Sequence, residues 1–142
     1  MLRGILLGAA LAVGVAAPAA AGDLAGYVRH ALEQMEYQWN NRTYSRQYFL
    51  EQGNLQQGGS WTYSFNTAAD EVIFIAGCDQ DCSGLSMTAF DRASGRLIDQ
   101  RRGSGKSMEM RVRPGTGRHV IVSLTMERCS TQVCYYAISA VH

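Results

Sequence analysis

Two aspartates one residue apart, Asp79 and Asp81, stand between Cys78 and Cys82. Carboxylates at that spacing in a constrained turn are what calcium uses, and Asp91 and Asp99 are the further acids that a calcium shell would recruit. Short polar residues also favour turns by bonding their own backbone. Gly84 and Ser86 follow where further carboxylates would strengthen a metal site, so the turn reading stands ahead and no cofactor is expected. Four cysteines allow three disulfide pairings. The spacing favours the local pairs Cys78–Cys82 and Cys129–Cys134, each bracketing a turn between expected strands. Zinc is the lesser reading, because no histidine lies near either pair and an exported chain meets oxidising conditions.

Other chemistry is sparse. His30, His119 and His142 are far apart in the sequence and form no metal-binding spacing. They are expected at the surface. No G-x-S-x-G nucleophile elbow occurs, and a thiol nucleophile would need a cysteine free of its partner. Gly105-Lys106-Ser107 resembles the end of a phosphate loop, but Gln100 takes the place of its first glycine. The remaining candidates are cations. Arg101, Arg102, Lys106, Arg111, Arg113 and Arg118 gather in the second half as a possible anion-binding face. Gly22 to Asp91 holds nine acidic and three basic residues, and Arg92 to His142 holds nine basic and three acidic ones. The plainer reading is mutual neutralisation of neighbouring strands; the sharper one is a basic face for an anionic partner. Trp61, Tyr63, Tyr135 and Tyr136 are read as cross-strand packing, with a carbohydrate or peptide surface as the alternative.

Residues 1–21 read as a signal peptide, with Arg3 before an apolar run and Ala19 and Ala21 at the cleavage positions. The expected location is periplasmic or extracellular, with no membrane span after cleavage. Without Arg3 the chain carries twelve basic and twelve acidic residues, which makes no case for nucleic acid. Residues 22–52 are expected as a helical lead-in. Asp23 caps a helix to about Trp39, with Leu24, Val28, Ala31, Leu32 and Met35 on one side, and residues 43–52 form a second short helix or an aromatic connector. GNLQQGGS at 53–60 opens a β region running to residue 142. Val72 to Ala76 reads as a strand covered on both faces. Leu85, Met87 and Ala89, then Met108, Met110 and Val112, then Val120, Val122, Leu124 and Met126 alternate with polar or outward neighbours. Cys129 to Cys134 is expected to close a hairpin. About seven strands at this spacing predict an antiparallel β-sandwich preceded by an N-terminal α-helix.

GNLQQGGSWTYSF, AGCDQDCSGLSMTAFD, SGRLID, PGTGRHVIVSLTM and CSTQVCYYAI together resemble the bacterial pre-peptidase C-terminal domain in its stand-alone exported form. The resemblance covers Leu55 to Val141. It implies a small jelly-roll-like β-sandwich and a non-catalytic binding or accessory module acting in secretion, targeting or surface binding. Gly84, Leu85, Ser86 and Met87 replace the family's Asp-Leu-Asp-Leu run. The expected partner is a cell-envelope protein or an anionic surface. The competing classes are a secreted hydrolase with an unrecognised site and a calcium-dependent structural module.

Overall fold

A computed structural model describes Arg29, His30, Glu33 and residues 46–142. The expected signal peptide, residues 1–21, lies outside them. So does the expected lead-in helix, except for those three positions, which have helical backbone. Eight strands follow in order: β1 (Gln47–Leu55), β2 (Ser60–Asn66), β3 (Val72–Cys78), β4 (Cys82–Asp91), β5 (Leu97–Gly103), β6 (Ser107–Val112), β7 (His119–Cys129) and β8 (Cys134–Val141). They form two antiparallel four-stranded sheets, ordered β1-β8-β3-β6 and β2-β7-β4-β5.

The alternating positions make the core between the sheets. Leu85, Met87 and Ala89, Met108, Met110 and Val112, and the four inward residues of β7 are all buried there. Fully burying a Leu, Met or Phe side chain contributes roughly 1.5–3 kcal/mol, so this cluster holds the layers together. All seven residues of β3 are buried, as expected of a strand covered on both sides.

The sandwich begins at Gln47, not Gly53, so residues 47–52 are strand where a helix or connector was expected. Gly53 disguises this strand. A Cβ there would lie 3.0 Å from Tyr136 Oη and 3.2 Å from the ring, so glycine makes room for the ring of its register partner. The second correction concerns Cys129–Cys134. It closes no hairpin, because β7 and β8 lie in different sheets. Both disulfides form, with Cα separations of 5.9 Å at Cys78–Cys82 and 5.8 Å at Cys129–Cys134. Each ties a corner where the chain passes between sheets. The corners are neighbours, because Cys82 and Cys129 are register partners. Disulfides of this kind fit an oxidising compartment. Among the described residues no helix is long and apolar enough to cross a membrane.

Candidate functional site

The two lateral sides of the sandwich are built differently. Edge strands β1 and β2 meet through a row of rings. Phe49 lies 4.6 Å from Tyr63 and 5.7 Å from both Trp61 and Phe65, and Tyr48 lies 5.1 Å from Phe65. Trp61 and Phe65 pack on the core, and Tyr136 is part of it, so packing is the main role of these aromatics. Tyr135 lies on the opposite side of β8 from Tyr136.

On the other side, edge strands β5 and β6 leave a cleft of about 770 Å³. Ile98, Val112 and Pro114 give it an apolar floor, and its walls carry Arg96, Arg111, Arg113 and Arg118 against Glu71, Asp91 and Asp99. The β4–β5 turn and the connection from β6 to β7 close one end. Gly115 (φ 90°) and Gly117 (φ 71°) let that connection bend back, and Thr67 fixes it by donating from Oγ1 to Gly115 O at 2.6 Å and accepting from Arg118 N at 3.0 Å.

Arg118 reaches Asp91 Oδ2 with Nε at 3.0 Å and Nη2 at 2.6 Å. Asp91 Oδ1 accepts from Ser94 N at 3.0 Å and from Ser94 Oγ at 3.1 Å. The Ser94 amide, then the Arg118 guanidinium, hold the Asp91 carboxyl below its ordinary range. Asp91 is therefore a poor proton acceptor near neutral pH, and the adjacent Ser94 hydroxyl has no base in it. Glu71 joins two arginines, accepting from Arg111 Nη1 at 3.2 Å and Arg113 Nε at 3.0 Å, while Arg111 Nε donates to Glu109 at 2.9 Å. Asp99 lies 3.5 Å from Arg101 Nε. The Arg96 side chain makes no hydrogen bond or ion pair with any other described residue. With Glu109 and Arg101 counted as partners of Arg111 and Asp99, five arginines meet four carboxylates here, leaving one excess positive charge and unused guanidinium donors.

Of the six expected cations, the cleft gathers Arg111, Arg113 and Arg118, with Arg101 beside Asp99. Arg102 is the partner of Ser86 on the outer face of the second sheet, and Lys106 reaches Gln80 O at the disulfide end. The expected single basic face is thus divided, because neighbouring positions on a strand point to opposite faces. Most of the gathered charge is neutralised by acids from the first half of the chain, as the plainer reading had it. Arg96, Glu71 and the lining role of Asp91 and Asp99 were missed, since only the fold brings β3, β4 and β6 together here.

The four calcium candidates are not one site. Asp79 precedes β4 and Asp91 ends it, about 30 Å apart along a ten-residue strand. Asp79 instead accepts from Asp81 N at 3.2 Å and Tyr135 N at 2.8 Å, and burial pushes its pKa up despite those bonds. Among the described residues no cluster of three or more His, Cys, Asp or Glu is placed to hold a metal. The histidines are scattered. His119 Nε2 lies 3.2 Å from Arg92 Nη1, and the His142 ring lies 5.2 Å from Tyr48. His30, expected at the surface, is only one-third exposed.

No family model matches the chain, and no curated protein matches it. Solved structures do share the fold. The pre-peptidase C-terminal domain of a Bacillus anthracis collagenase is 14% identical with a TM-score of 0.50, over 65% of this chain and 87% of that domain. The Yersinia pseudotuberculosis-derived mitogen is also 14% identical at a TM-score of 0.50, over 66% of this chain and 83% of that one. The likeness is one of fold: two packed antiparallel sheets, as the sequence resemblance implied.

Proposed function

We propose that this protein is an exported, non-catalytic binding module whose ligand site is the cleft between β5 and β6, and that the ligand presents an anionic group on a flexible chain. The observation that carries this reading is Arg96, a cation without a described partner in a cleft with an apolar floor. Arg113 adds to it, being 82% exposed and bonded to Glu71 through Nε alone. Guanidinium groups with spare donors recognise carboxylate and phosphate oxygens in a paired geometry. The charge is recessed in a cleft, and Arg102 and Lys106 point elsewhere. That shape suits a protruding carboxylate of an envelope polymer better than a flat lipid surface. The likeness to the collagenase's pre-peptidase domain supports an accessory role.

Calorimetric titration of the protein with polygalacturonate, with dextran as the neutral control, tests this. Binding to the acidic polymer is expected, weakening steeply between about 50 mM and 500 mM salt as screening shortens. Equal heats for both polymers would refute it.

A further inference from the structure

The outer faces of the two sheets are unlike. On the second sheet, β4 and β7 turn Ser86, Thr88, Phe90, Ile121, Ser123 and Thr125 outward; all but Ser86, which donates to Glu127, are half-buried, as on a face open to water. Hydroxyls link this face: Ser60 Oγ and Thr125 Oγ1 are 2.6 Å apart, and Thr62 Oγ1 donates to Ser123 Oγ at 3.3 Å. On the first sheet the corresponding central strands are β3 and β8. Their alternate residues Val72, Phe74, Ile138 and Ala140 fill the core, so Ile73, Ile75, Ala137, Ser139 and Val141 point outward. Yet Ile75, Ala137, Ser139 and Val141 are 0% exposed and Ile73 only 5%. A sheet cannot dry the face it turns away from its partner sheet; another layer must lie there. The eight strands are all used in the sandwich itself.

The chain upstream of β1 is the natural cover. Arg46 and His142 exchange backbone hydrogen bonds, N to O at 3.1 and 3.0 Å, so the chain enters β1 beside Val141 at the end of this face. Leu24, Val28, Ala31, Leu32 and Met35 form an apolar stripe at helical spacing. Arg29, His30 and Glu33 fall off that stripe and have helical backbone; Arg29 and Glu33 are exposed and 3.9 Å apart as an ion pair. Their exposed charges leave the stripe side for burial. Leu24 to Met35 as a helix would run about 18 Å, comparable with the breadth of a four-stranded sheet, about 14 Å between its edge strands.

We propose that the segment Leu24–Met35 is the occupant of this second apolar face, forming a third layer on Ile73, Ile75, Ala137 and Val141. The protein's own N-terminal segment then fills an interface that a second copy or a partner would otherwise take. The hydroxyl-bearing face of the other sheet is left to water.

Methyl–methyl NOE spectroscopy on the exported full chain tests this, with Ile, Leu and Val methyls labelled. Contacts from Ile73 and Ile75 to Val28, Leu24 or Leu32 within one molecule are expected. A mixture of differently labelled chains separates the alternatives. Contacts found only between copies, or none from the segment, would overturn the proposal. As a second measurement, Val28→Glu with Leu32→Glu should raise ANS fluorescence several-fold while the near-ultraviolet signal of Trp61 is kept. A folded double variant with unchanged ANS binding would also overturn it.

Discussion

Asp79 grips Tyr135 twice: its backbone N–H donates to Tyr135 O at 3.0 Å, and its Oδ2 accepts from Tyr135 N at 2.8 Å. Asp79 lies inside one disulfide loop, and Tyr135 follows the cysteine that closes the other. The same joint carries Ser130 N, which donates to Asp81 O at 2.9 Å. Two corners that each cross between sheets are therefore fastened to one another.

Asp79→Ala orphans two amides, those of Asp81 and Tyr135. Each buried unsatisfied donor costs about 1–3 kcal/mol, so a loss in that range or somewhat above is expected in urea unfolding. Asp79→Asn keeps one acceptor and removes a buried charge, so it should cost less. Its pKa is raised in the fold. The folded state then binds the proton more tightly, and stability falls as pH rises from about 4 through that raised value. Asp79→Asn should flatten the stability profile across this window.

Asp91 has the opposite sign. Its pKa is depressed by Ser94 and Arg118. The stability it contributes is present above its ordinary value and lost as pH falls through the depressed one. Asp91→Asn should be less stable than the parent at neutral pH and less sensitive to acid below about pH 4, as read by circular dichroism.

Each disulfide closes a short loop, so replacing either pair with alanine should cost about 2 kcal/mol by the loop-entropy relation. Because Cys82 and Cys129 are register partners, the losses should not add. The variant lacking both should lose less than the two separate losses together, since the first opening already loosens the shared joint. Strict additivity in guanidinium unfolding would contradict this coupling.

Gly53→Ala should destabilise by about 1–3 kcal/mol, as overpacking does, because Tyr136 is only 4% exposed and its ring must give way. Differential scanning calorimetry reads the lowered midpoint.

Much of the sandwich was legible because β6 and β7 alternate without interruption, and two-residue periodicity is itself the mark of a one-sided face. Strand β1 was not, since Gly53 and its polar neighbours read as loop until Tyr136 is placed over them. The path from β7 to β8 was misread because four residues between cysteines suit a hairpin and a crossing corner alike. Arg111, Arg113 and Arg118 stood out as cations, but Glu71 lies 40 positions before Arg111 and meets it only through the β3–β6 pairing. Arg96 has nothing in its sequence setting to mark it; its significance is that the described structure gives it no carboxylate.

The cleft is tested most directly by following arginine side-chain Nε–Hε signals in nitrogen-labelled protein during titration with an oligogalacturonate. Signals of Arg96, Arg113 and Arg118 should shift together and saturate, and the response should be lost in Arg96→Gln with Arg113→Gln while the fold is kept. Saturable shifts confined to residues outside the cleft, or no shifts at all, would contradict the account.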